Sequence, residues 1–140
     1  MSFSHYSQLV FDHFFNPRNN GFIEDANGIA EIGDPDCGDH LKVFLKIEND
    51  MVRDIKFQIK GCPAAIACAS AMTELVMGKP IQEAMQVSDD QIIDHIDGLP
   101  EFKIHCSTLG ASVFRLAVMD YRMKSVTTEV PDEYKITLEM

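Results

Sequence analysis

Four cysteines, Cys37, Cys62, Cys68 and Cys106, are the residues of this chain with the widest chemistry open to them. No secretion signal precedes them, so reduced thiols are expected rather than disulfides. As thiolates they could bind iron or zinc, or attack another sulfur. Their separations are long and unequal, unlike the paired CxxC knuckles of a zinc ribbon. A site built from them must therefore be assembled by folding. Asp39 follows Cys37 by two residues and His105 immediately precedes Cys106, so an oxygen and a nitrogen donor belong to the same neighbourhoods. Cys68 differs. Six residues past Cys62 on an expected helix, it points roughly 120° away from it and is expected to be a core thiol.

The elements that must position these groups follow from periodicity. Tyr6, Leu9, Val10 and Phe14 recur at helical spacing, and Asn16-Pro17 ends that helix. Residues 15 to 28 are expected to form a loop. Ile29 to Gly33 is a short strand candidate, leading into the turn-rich stretch that carries Cys37 and Asp39. Leu41, Val43, Leu45 and Ile47 alternate with Lys42, Phe44 and Lys46. Beyond the turn at Asn49-Asp50, Ile55, Phe57 and Ile59 alternate with Lys56, Gln58 and Lys60. This is the pattern of an antiparallel hairpin with one buried face. Pro63 to Met77 is expected to be a buried helix, with proline in its first turn and Gly78 after its end. Lys79 to Leu99 suggests one or two shorter helices, capped by Ser88 and stopped at Pro100. Ser107 is expected to cap a long helix in which Leu109, Val113, Leu116 and Ala117 share a face. Tyr134 to Leu138 could add a strand. The fold class is α+β: about three antiparallel strands packed against several helices in a single domain over residues 1–124, followed by a tail over 125–140.

On this map Cys62 and Cys106 lie at helix N-termini, where free amides and the helix dipole favour thiolate. Lys103 near the thiols would lower their pKa further. Arg18 is expected to be a solvated charge, and His5, His13, His40 and His95 to be surface residues. The composition fits a globular chain, 46% hydrophobic and 24% charged. Its net charge of -10 disfavours nucleic acid as a partner. No apolar stretch approaches membrane-spanning length, and the first residues lack the pattern of a signal or transit peptide, so a cytoplasmic location is expected.

Three thiolates are one short of the four that hold an ordinary iron–sulfur cluster. A carboxylate or imidazole in the remaining position would make such a cluster easier to lose, a defect in an electron carrier but an asset in a scaffold. A zinc protein without cluster chemistry is a second reading of the same donors. A thiol enzyme using Cys106 and His105 is a third, although adjacent residues seldom face each other well enough.

Asn16-Pro17-Arg18-Asn19, Cys37-Gly38-Asp39, Gly61-Cys62 with Ala64 to Ser70, and Lys103-Ile104-His105-Cys106-Ser107 occur in that order along the chain. On these motifs the chain resembles the IscU / NifU N-terminal family of iron–sulfur cluster scaffolds, from its first helix to about Lys124. The resemblance implies a non-enzymatic scaffold that receives sulfur as a persulfide from a cysteine desulfurase. It would assemble a transient [2Fe-2S] cluster and pass it to apo-acceptor proteins. The family's three cysteines match Cys37, Cys62 and Cys106, its aspartate matches Asp39, and its histidine matches His105, which the related SufU branch lacks. Cys106 is the implied persulfide acceptor, and zinc could occupy the same site as iron. Where the family's chaperone-recognition segment reads Leu-Pro-Pro-Val-Lys, this chain has Leu99-Pro100-Glu101-Phe102-Lys103, which argues against handover through a dedicated chaperone.

Overall fold

The alternating segments form a three-stranded antiparallel sheet in the order β1-β2-β3: β1 Gly28–Asp34, β2 Asp39–Glu48 and β3 Met51–Lys60. A computed structural model describes residues 6–34, 39–104 and 106–127 of the chain. Leu41 pairs with Ile59, Val43 with Phe57 and Leu45 with Ile55, so the apolar sets of the hairpin share one face. Val43, Leu45, Ile55 and Phe57 are fully buried there. Phe44, expected on the solvated face, is also buried; the Lys42 ammonium lies 5.2 Å over its ring. A register shift between Lys46 and Ile47 lets the ladder reach the turn, where Asn49 and Asp50 adopt positive φ.

Among the described residues, five α-helices accompany this sheet: α1 Gln8–Phe15, α2 Pro63–Val76, α3 Ile81–Ala84, α4 Asp89–His95 and α5 Cys106–Thr127. α5 lies across β1 and β2, and α2 packs against α1, α5 and β3. Proline sits in the first turn of α2, and Ser88 forms a capping box with Gln91 at the start of α4. Gly28 is where α5 comes closest to the sheet. A Cβ there would stand 2.6 Å from the Ala117 carbonyl oxygen, so no side chain fits.

Several local expectations are corrected. Tyr6 precedes α1 rather than belonging to it, and Ser7 is the cap, accepting from the Val10 amide. The face of α1 turned inward carries Val10 and His13, whereas Leu9 is exposed. His13 is therefore a buried residue, not a surface one. α5 begins at Cys106, so Ser107 lies inside it, and its hydroxyl donates to the Ile104 carbonyl instead of capping. Its buried face carries Val113, Phe114, Ala117 and Val118, with Leu116 turned outward. α5 runs on to Thr127, past Lys124. His5 and the strand candidate Tyr134 to Leu138 lie outside the described residues.

Candidate functional site

Three parts of the chain converge at one edge of the sheet. β2 starts with Asp39, Cys62 is the N-cap of α2 directly after β3 and Gly61, and Cys106 opens α5. The hairpin sets the first two side by side, because His40 pairs with Lys60 across the ladder. Packing of α5 on α2 brings in the third. The Cys62 and Cys106 sulfurs stand 3.7 Å apart, and an Asp39 carboxylate oxygen joins them in a group whose donor atoms all lie within 4.8 Å. A tetrahedral ion with metal–sulfur bonds of about 2.3 Å separates its sulfur ligands by about 3.8 Å. The two thiols are thus already spaced for one tetrahedral ion. Asp39 is buried, Cys106 is buried at 3% exposure, and Cys62 is half-buried, so the site opens outward through Cys62.

Gly61 makes room for the carboxylate. A Cβ at that position would lie 2.8 Å from Asp39 Oδ1 and 3.3 Å from Ala65 Cβ. Any side chain there would push Asp39 away from the sulfurs.

The two thiols share one charge. Their sulfurs share a hydrogen bond, and with Cys106 as its donor this bond is the main reason the Cys62 pKa falls to about 5. Burial opposes the drop, while the Ala65 amide in the first turn of α2 and the Lys103 ammonium add to it. The same bond, with burial and the neighbouring charge, raises Cys106. The negative charge therefore rests on Cys62, although helix position alone favours thiolate at both residues. Burial works against the Lys103 charge, but Cys62, Tyr6 and Cys106 together outweigh it, and the lysine pKa is raised. Lys103 is in place to neutralise a thiolate, as its position in the sequence suggests.

Cys68 is fully buried in α2, and burial pushes its thiol up to about 12. It is inert core. Arg18 is not a solvated charge, since it pairs with Asp12 and Glu74. Cys37 and His105 lie outside the described residues. Two residues of the site have parts in it that the sequence reading did not assign. Tyr6 is buried close enough to Lys103, Cys62 and Cys106 to feel their charges; burial is the larger reason its own pKa rises. Gly61 matters only through an approach that folding creates.

An antiparallel sheet backed by helices, with two thiols and a carboxylate meeting where a strand and two helices begin, defines a protein that handles metal or sulfur in a site open to a partner. The chain belongs to the NifU-like N-terminal domain family, whose model matches residues 5–128. It is 48% identical over 120 residues to the iron–sulfur cluster assembly scaffold protein IscU 1 of Archaeoglobus fulgidus, covering 86% of this chain and 78% of that one. Its identity to the iron–sulfur cluster assembly scaffold protein IscU of Aquifex aeolicus is 45% over 141 residues, covering 96% and 89%. The crystal structure of a nitrogen-fixing NifU-like protein (N-terminal) from Brucella abortus has the same fold, with a TM-score of 0.74 at 16% identity over 86% of this chain and 96% of that one. No helix among the described residues is long and apolar enough to cross a membrane.

Proposed function

We propose that this chain is a scaffold for iron–sulfur cluster assembly, not an enzyme, and that the cluster it builds is a [2Fe-2S] cargo. The observation that carries the proposal is the 3.7 Å spacing of Cys62 and Cys106 beside the buried Asp39 carboxylate. Cys37 supplies the third thiolate and His105 a nitrogen donor, on the strength of their places beside Asp39 and Cys106. Two or three thiolates hold iron strongly, while a carboxylate is a hard ligand and a weaker hold on cluster iron. Asp39 is then the edge through which the cluster leaves. The scaffold domain expected over 1–124 extends through the end of α5 at Thr127, and the work belongs in the cytoplasm, where thiols stay reduced.

Sulfur arrives from a cysteine desulfurase as a persulfide. Cys106 is the acceptor that the family resemblance implies, although the resting charge lies on Cys62. The shared proton crosses to Cys62 Sγ, and the Cys106 thiolate attacks the outer sulfur of the donor. A new S–S bond forms as the donor's breaks, and the donor cysteine leaves as thiolate. Lys103 balances the charge that accumulates. Apo-acceptor proteins take the finished cluster; the sequence Leu99-Pro100-Glu101-Phe102-Lys103 favours direct handover over a chaperone-assisted one. Zinc suits the same donors, and its geometry matches the sulfur spacing equally well.

Anaerobic incubation with ferrous iron and sulfide separates the two. A scaffold turns coloured, with visible absorbance that Cys62→Ser or Cys106→Ser abolishes and Cys68→Ser leaves intact. A protein that stays colourless and retains zinc contradicts the proposal.

A further inference from the structure

Away from the thiols, three helices present a second set of donors to one another. His13 of α1, Glu74 of α2 and His95 of α4 each direct one ligand atom into a group in which all such atoms lie within 4.8 Å. Glu74 Oε1 is 3.3 Å from His13 Nε2 and 2.9 Å from His95 Nε2. The geometry points to a second cation site here, made by His13, Glu74 and His95, that takes a divalent first-row ion such as zinc. Bonds of about 2.0–2.1 Å in a tetrahedral site separate nitrogen and oxygen ligands by about 3.3 Å, so the His13–Glu74 edge already fits and the Glu74–His95 edge must open by a few tenths of an ångström. His95 is partly exposed and can give that distance.

The surroundings suit the task. His13 Nδ1 is 2.7 Å from Ser70 Oγ, so with the ring proton on Nδ1 the Nε2 lone pair faces the ion. Burial, with Arg18 beside it, lowers the His13 pKa and keeps the ring neutral, which is the ligand form. Arg18 Nε lies 3.6 Å from Glu74 Oε2, which fixes the carboxylate and leaves Oε1 to the imidazoles. Three protein ligands leave a fourth position for water, and the partial exposure of Glu74 and His95 gives a path of entry. The site is not an extension of the cluster site. Glu74 is twelve residues beyond Cys62 on the same helix, about 18 Å along its axis. An ion here would fasten α1, α2 and α4 together, a binding event coupled to folding.

Anaerobic titration of the metal-free full chain with cobalt(II) tests this, because thiolate ligation adds a strong near-ultraviolet charge-transfer band that nitrogen and oxygen ligation lacks. Wild type should bind two equivalents, only one of them with that band. His95→Ala and Glu74→Gln should each remove one equivalent, or weaken it at least tenfold, and keep the band. In a Cys62→Ser/Cys106→Ser chain, zinc should still raise the melting temperature, and adding His95→Ala should abolish the rise. A wild type that binds no second equivalent, or a second equivalent indifferent to both His95→Ala and Glu74→Gln, overturns the site.

Discussion

Cys62 shows how one residue's chemistry depends on what folding brings to it. At a helix N-cap it has some preference for thiolate, but the larger effect is the thiol of Cys106, forty-four positions away in the chain and 3.7 Å away in space. The pKa of about 5 implies a thiolate present above that pH and lost below it. In metal-free protein, iodoacetamide at pH 6.5 should therefore label the peptide bearing Cys62 at least tenfold faster than that bearing Cys68. The labelling rate should fall with an inflection near 5; mass spectrometry of the digest gives both numbers. Equal rates, or an inflection above 8, would show that Cys106 does not stabilise the thiolate. The donor types at Cys62, Cys106 and Asp39 were legible in the sequence, because each stands in a short motif, Gly61-Cys62, His105-Cys106-Ser107 and Cys37-Gly38-Asp39. Which thiol holds the charge was not legible. It depends on a contact between side chains from two helices, and the roles of Tyr6 and Gly61 depend on such proximity entirely.

At the scale of elements, Ser70 joins pieces that are otherwise far apart. Its hydroxyl oxygen accepts from the Arg18 amide and lies 2.7 Å from His13 Nδ1, so one α2 residue anchors both α1 and the turn after it. Ser70→Ala leaves these buried partners unsatisfied, a loss of about 1–3 kcal/mol. Urea unfolding at neutral pH should show that difference; a change within about 0.5 kcal/mol would mean the network relaxes around the lost hydroxyl. The strands were well marked in the sequence, because period-two alternation along Leu41 to Ile47 and Ile55 to Ile59 has no helical counterpart. α1 was marked less well. It has only two turns, with Leu9, Val10, Phe11, Phe14 and Phe15 nearly all apolar, so the pattern does not single out one inward face. His13 took an inward position through its hydrogen bonds, which hydrophobic periodicity does not record. The start of α5 was misplaced by two residues for a related reason: serine commonly caps helices, but Ser107 spends its hydroxyl on Ile104 instead.

The whole molecule divides its labour. The core beneath the sheet, from Val43 to Val118, is mostly apolar and closed, while Cys62 and Cys106 lie at an edge where a strand and two helices begin. Only Cys62 among the described thiols reaches outward. On the proposed reading, a cargo held there is strongly bound through sulfur, weakly bound through Asp39, and accessible from outside. Retention and release then depend on different residues, which is what separates a scaffold from a store. The decisive measurement is the rate at which a reconstituted cluster moves to an apo-ferredoxin, compared with the rate at which its visible absorbance decays when no acceptor is present, for wild type and Asp39→Ala. A scaffold of this design transfers cluster several-fold faster than it loses it, and Asp39→Ala transfers more slowly and keeps its absorbance longer. Transfer no faster than spontaneous decay in wild type, with Asp39→Ala shedding its cluster sooner under both conditions, would make Asp39 a plain ligand and the protein something other than a scaffold.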